Sequence, residues 1–224
     1  MINYNNFIIK KKAVTIEWKI SDKEVSFEEA VKFMEQRNRD IIDDKASNLI
    51  WLTSHPALYT AGISAKDSDL LNPKIPVFKT NRGGKYTYHG PGIRIIYLML
   101  DLKKLFAPER PDISKFVNLL ENWVINSLNR IGIKGEIRKD RVGIWVKTAN
   151  SEEKIAAIGI KLKKWVTYHG IAININPDLK YFNDIVPCGI NEFGVTSIEK
   201  LGIKITQEEF DKILQEEFNK ILPK

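Results

Sequence analysis

The stretch from Ile93 to Leu102 (IRIIYLMLDL) is apolar at nearly every position. A strand with one wet face alternates between apolar and polar side chains. This one does not alternate, so it is predicted to run through the centre of a sheet with both faces covered. Other segments supply the neighbours. Ala13 to Ile20 alternates like a half-buried strand, and Leu49–Thr53 and Pro76–Thr80 read as further strands. Gly143–Val146, Ile155–Leu162 and Tyr168–Ile175 follow as a run of successive strands, and Asp178–Asn183 reads as a turn.

Helices are announced by their ends. Ser26-Phe27-Glu28-Glu29 and Thr206-Gln207-Glu208-Glu209 are capping boxes, predicting helices from Phe27 to about Asp43 and over the C-terminal segment, with Phe210, Ile213, Leu214, Ile221 and Leu222 on one face. A third helix is expected from Ile113 to Arg130, burying Phe116, Val117, Leu119, Leu120, Trp123, Val124 and Leu128, with Gly132 as its C-cap. Strands and helices are interspersed, and several strands run on without a helix between them. That order predicts an α+β (mixed α/β) fold and not a doubly wound sheet. No repeat, low-complexity tract or linker divides the chain, so residues 1–224 are expected to form one catalytic domain.

Charge and cysteine content narrow the function classes. A net charge of +7 and a pI near 9.3 suit acidic partners, but the lysines are dispersed and no nucleic-acid motif is present, so no nucleic-acid role is predicted. No apolar run approaches the ~18 residues of a membrane span, and the opening Met1–Asn6 is no signal peptide. A cytoplasmic location is expected. The one cysteine, Cys188, excludes an internal disulfide.

Residues 81–92 (NRGGKYTYHGPG) hold four glycines and a proline in twelve positions, a composition that excludes an ordinary helix and interrupts any strand. Such glycines permit close backbone approach to a ligand or another loop and leave N–H groups free to donate. Arg82 could hold an anionic or carbonyl-rich group, with Thr87 and His89 adding short polar side chains. Neither phosphate-loop pattern, GxxxxGK[ST] or GxGxxG, fits, and a glycine-rich hairpin without a ligand is the competing reading. The histidines His55, His89 and His169 lie before Pro or Gly in loop-like or strand-end contexts. They lack HxH or HExxH spacing, so no metal site and no cofactor is predicted.

Cys188 sits between Pro187 and Gly189, 34 positions after Lys154. At an ordinary pKa only ~3% of a thiol is ionised at pH 7; an ammonium within ~4–6 Å favours the thiolate, and one unit of lowering raises that fraction to roughly a quarter. Read alone, Cys188 fits a small buried hydrophobe and Lys154 a surface lysine at a strand start. A pair of Cys188 with His89 or His169 is a further candidate.

Four ordered segments, RGGKYTYHGPG, KIAAIG, YHGIAIN and VPCGI, resemble the octanoyltransferases of lipoate biosynthesis, and the similarity reaches back to HPALYTAG, covering roughly residues 48 to 200. The resemblance implies a fold like the catalytic domains of biotin and lipoate protein ligases, with mixed sheets flanked by helices. It implies Cys188 as nucleophile, forming an acyl-thioester, and Lys154 as its partner. It assigns acyl binding to Arg82, Gly83, Gly84, Lys85, Tyr86, Thr87, Tyr88 and His89, to Ala157, Ile158 and Gly159, and to Gly170, Ile171 and Ala172. Small and aliphatic residues suit an eight-carbon chain, which needs an apolar slot with closely spaced walls. The implied donor is octanoyl-acyl carrier protein. The implied acceptors are lipoyl domains of 2-oxoacid dehydrogenases and the glycine cleavage H protein. An ATP-dependent lipoate or biotin protein ligase is the alternative enzyme, and a lipoyl-domain or carrier-binding module the alternative without catalysis.

Overall fold

A computed structural model describes residues 8–11, 14–139, 141–148, 151–186 and 193–221. In chain order its first elements are β1 (Ile8–Lys11), β2 (Val14–Ile20), α1 (Phe27–Ile42), β3 (Asn48–Thr53) and β4 (Leu58–Ala61). There follow β5 (Val77–Lys79), β6 (Tyr86–His89), β7 (Ile93–Met99), α2 (Leu102–Phe106) and α3 (Ile113–Asn129). The second half holds β8 (Glu136–Arg138), β9 (Arg141–Lys147), β10 (Glu152–Lys163), β11 (Val166–Asn174), β12 (Gly194–Val195) and α4 (Gln207–Ile221).

The apolar segment is the middle of the larger sheet, whose order is β1-β2-β3-β7-β11-β10-β9-β8, with β12 added beside β10. All residues of β7 are buried. The sheet is mixed, since β2–β3 and β10–β12 run parallel and the other pairs antiparallel. A small sheet, β5-β4-β6, lies apart from it. Helices flank the sheets, so the fold is α+β as expected. Among the described residues no helix is long and apolar enough to cross a membrane.

The alternation along β7 divides the interior in two. Ile96 and Leu98 join a core with α3 and α4, where Trp18, Trp123 and Phe218 meet edge to face at 4.8–6.2 Å. Ile93, Ile95, Tyr97 and Met99 face the other core, shared with α1 and the small sheet. At Gly170 β11 comes close against β7: a Cβ there would run into the Ile96 carbonyl oxygen, so only glycine fits this crossing.

Differences from expectation have local causes. β7 ends at Met99 and not at Leu102, because Asp101 caps the short helix α2 by accepting from Lys103 N and Lys104 N at 2.9 and 3.3 Å. Tyr86–His89 is a strand despite its glycine-rich flanks; Thr60 and Thr87 pair across β4 and β6, and the glycines only bound the strand. The short strands β1, β4, β8 and β12 carry too few residues for a periodic signal. Both caps form: Ser26 Oγ accepts from Glu29 N at 3.3 Å, and Thr206 and Glu209 bond reciprocally at 2.8 and 3.1 Å. Gly132 follows α3 with φ +83°. Ala13 and Leu222 lie outside the described residues.

A buried ion pair fastens α4 to the central strand. Arg94 Nε donates to Asp211 Oδ1 at 2.8 Å, and Arg94 Nη2 is bonded to Asp211 Oδ2, with both side chains nearly inaccessible. Burial pushes the Asp211 carboxyl up even against the opposing pull of Arg94, so desolvation is the larger effect. Asp211→Ala should therefore cost about 3–5 kcal/mol by stranding a buried guanidinium, whereas Arg94→Met with Asp211→Leu should cost far less. Urea unfolding of the single and double variants measures the difference.

Candidate functional site

Between β10–β11 and the small sheet lies a narrow slot of ≈ 60 Å³. Two of the sequence segments meet there as paired strands: Ala157 stands opposite Ala172, Ile158 opposite Ile171 and Gly159 opposite Gly170. The residues from the glycine-rich segment that line the facing wall are Arg82, Gly84, Lys85, Tyr86, Thr87 and His89, and Lys154 stands at one end. The lining does not include Gly83 or Tyr88. The Gly83 amide donates to Ile160 O at 3.1 Å and docks the loop on β10. Tyr88 points instead to an aromatic cluster, stacked 4.7 Å from Tyr181 and edge-on to Phe182, and burial pushes its phenol up to about 12.

The loop is shaped from within by Arg82. Its guanidinium donates to Gly83 O at 2.8 Å, Lys85 O at 2.7 Å and Thr60 O at 2.7 Å. The carbonyl-rich group expected for Arg82 therefore includes the protein's own backbone. Gly159 lets this loop come close, since a Cβ there would lie 3.0 Å from Gly83 O and 3.2 Å from Arg82 Cδ.

Hydrogen-bond roles fix two histidine tautomers. Thr60 Oγ1 already accepts from Arg82 Nε and Nη2, at 3.2 and 2.8 Å, so its own proton goes to His89 Nε2 at 3.2 Å. Neutral His89 then carries hydrogen on Nδ1, which has no partner among the described residues. His55 Nδ1 donates to Val25 O at 2.6 Å and its Nε2 accepts from the Tyr97 hydroxyl at 2.6 Å. Burial lowers His89 well below the ordinary imidazole value, helped by His55, Arg82 and His169. Burial also lowers His55, and burial with Arg82 and Lys161 takes His169 to about 4. His169 lies inside β11, with φ +61°, and not at a strand end. Among the described residues no three His, Cys, Asp or Glu side chains gather as a metal site.

At the slot's exposed end Lys154 is only 6% accessible. Its Nζ donates to Val142 O at 3.1 Å and lies 4.6 Å from the Trp145 ring centre. A register shift between Lys154 and Ala156 turns the lysine relative to the β9 ladder. Gly143, beside it, is required by the backbone: its φ is +119°, and a Cβ would lie 2.6 Å from Ala156 O, while Lys154 Nζ would be in ordinary contact at 3.5 Å. Cys188 lies outside the described residues, in the segment 187–192. The chain is anchored on either side of that segment. Val186 N donates to Asp69 O at 2.8 Å, and in β12 Val195 pairs with Lys154 itself.

Five lining residues were not among the site candidates read from the sequence: Phe27, Thr60, Ile95, Tyr97 and Val142. Ile95 and Tyr97 share one face of β7, so the strand's alternation was the available clue; for Phe27, a helix-start residue far away in sequence, there was none.

The model of the lipoyl protein ligase A/B catalytic domain matches residues 26–219. Curated octanoyltransferases are similar over most of their length. That of Wolbachia pipientis subsp. Culex pipiens is 52% identical over 190 residues, 85% of this chain and 91% of that protein. That of Parvibaculum lavamentivorans is 53% identical over 198 residues, 86% of each. Among solved structures, a lipoate-protein ligase A bound with ATP superposes with a TM-score of 0.67 at 15% identity, over 91% of this chain and 84% of that one. The bipartite lipoate protein ligase of Thermoplasma acidophilum gives 0.65 at 14%, over 85% and 79%. At such identities the structures share the fold alone.

The buried imidazoles give stability a pH dependence. His169 has a folded value of about 4 against an ordinary one of 6.5, so between these pH values the unfolded chain binds more protons and stability falls on acidification. The loss from this residue should approach about 3 kcal/mol by pH 4. His169→Asn, tolerant of the positive φ, should flatten part of that slope in urea titrations at pH 7, 5.5 and 4.

Proposed function

This chain belongs to the octanoyltransferases, built on the lipoyl protein ligase A/B catalytic domain, and on that premise we propose how it acts. It is an acyltransferase of protein lipoylation. The Cys188 thiolate attacks the carbonyl of octanoyl-acyl carrier protein. The carrier thiolate leaves with the proton of the Lys154 ammonium, and octanoyl-Cys188 remains, with Lys154 as a neutral amine. A lysine amine of a lipoyl domain then attacks this thioester. Its proton passes to Lys154, the Cys188 thiolate is expelled, and an octanoyl amide results. The first step exchanges like for like and the second forms the more stable bond, so neither needs ATP.

One observation carries this reading: a buried lysine stands at the outer end of an apolar slot and pairs, through β12, with the strand that follows the Cys188 segment. The slot walls suit the chain, since Ala157, Gly159, Gly170 and Ala172 leave space where larger side chains would fill it. His89, neutral and buried, acts with Arg82 to hold the loop that covers the acyl group. The net charge of +7 favours acidic carrier and lipoyl domains, including those of 2-oxoacid dehydrogenases and the glycine cleavage H protein.

Cys188→Ser and Cys188→Ala should lose transfer while staying folded, because a serine hydroxyl is hardly ionised at neutral pH. Activity within about tenfold of the parent, or ATP-dependent activity that survives Cys188→Ala, would overturn the covalent route. Lys154→Arg separates the two lysine roles. Arginine keeps the charge but neither gives nor takes up a proton, so some acylation of Cys188, read by intact mass, should persist with the carrier leaving as its bare thiolate, while transfer to the lipoyl domain slows by ~10²-fold or more.

A further inference from the structure

Two cavities meet at one aromatic ring. The slot runs from an exposed end, where Val142 is 53% accessible, to a buried end at Phe27, Tyr97 and His169, accessible to 5%, 3% and 4%. Beyond that end, between α1 and β5, lies an outer groove of ≈ 520 Å³ whose apolar lining includes Val31, Phe78 and Tyr168. Phe27 and His169 line both spaces. We infer that Phe27, backed by His169, is the partition that ends the acyl slot and limits the length of chain the enzyme accepts. This rests on the slot being the acyl site, as proposed above.

Phe27 is held as a fixed wall. It opens α1 directly after the Ser26 cap, and its ring lies 5.1 Å from Phe78, 5.6 Å from His55 and 6.4 Å from His89, stacked on the last. The residues leading to it are clamped as well. Val25 N donates to Ser54 O at 2.9 Å, and Val25 O accepts from His55, whose other nitrogen is bonded to Tyr97. A ring pinned at its backbone and packed on several sides cannot swing aside cheaply. A chain bound at the Lys154 end and pointing inward meets this ring with its methyl terminus. Methylenes beyond that point find no room in the slot, although behind the wall Val31, Phe78 and Tyr168 offer apolar contacts in an open groove rimmed by Glu28, Lys32 and Glu35.

Transfer is measured with a ladder of acyl-carrier proteins from hexanoyl to tetradecanoyl, and by competition between octanoyl and dodecanoyl donors, reading product mass on the lipoyl domain. The parent should show an abrupt fall beyond one chain length; a smooth decline across the ladder would overturn the partition without any variant. Phe27→Ala should raise the dodecanoyl-to-octanoyl product ratio at least about tenfold, since the extra methylenes can pass from the slot onto Val31, Phe78 and Tyr168. Phe27→Leu, the milder truncation, should raise it less and decides the question if Phe27→Ala does not fold. Ala157→Leu, in the slot's side wall, should instead favour the hexanoyl donor over the octanoyl. An unchanged ratio in folded Phe27 variants, with Ala157→Leu still shortening the preference, would overturn the partition alone. If neither position moves the ratio, the acyl slot itself is misassigned.

Discussion

Because β7 has no solvent face, the chain must build a layer on each side of it, and most of the architecture follows from that demand. On one side α3 and α4 close over Ile96 and Leu98, and the Arg94–Asp211 pair locks α4 in register with the strand. On the other side helices alone do not complete the cover. There α1 shares the task with the small sheet β5-β4-β6, and the seam between that sheet and β10–β11 becomes the slot. The alternation of a single strand therefore separates structure from function: Arg94 and Ile96 belong to the scaffold, Ile95 and Tyr97 to the site.

The slot is apolar in use but is bounded by polar groups that are mostly consumed internally. Arg82 directs its donors to the carbonyls of its own loop and of Thr60, and Thr60 passes its proton to His89. Burying an unpaired cation would cost several kcal/mol; spending it on backbone oxygens converts that cost into a rigid wall. The same burial keeps the imidazoles neutral, so they present no charge to an alkyl chain. Glycines matter at two places where nothing else fits. Gly143 adopts a positive φ and comes close to the Ala156 carbonyl in the strand that carries Lys154, and Gly170 allows β11 to touch β7.

The same fold is found in a lipoate-protein ligase A bound with ATP, so the fold alone does not choose the chemistry. In the mechanism proposed here that choice rests on a few side chains: a nucleophilic thiol and the buried lysine that shuttles one proton between the two half-reactions.

The sequence by itself determined the central strand, the three long helices, two of them opened by capping boxes, and the order of the motifs. Each of these depends on local periodicity or on residue types at fixed spacing along the chain. It also singled out Ala157-Ile158-Gly159 and Gly170-Ile171-Ala172, which proved to stand opposite one another in a ladder. Only the tertiary structure decided that Gly83 and Tyr88 stand outside the slot lining, because the partners that hold them, Ile160 for the loop and Tyr181 and Phe182 for the ring, are remote in sequence. It likewise brought Phe27 from the start of α1 to the inner end of the slot, beside Tyr97 and His169. That meeting depends on how α1 packs across β7 and β11, and no spacing within a single segment encodes it.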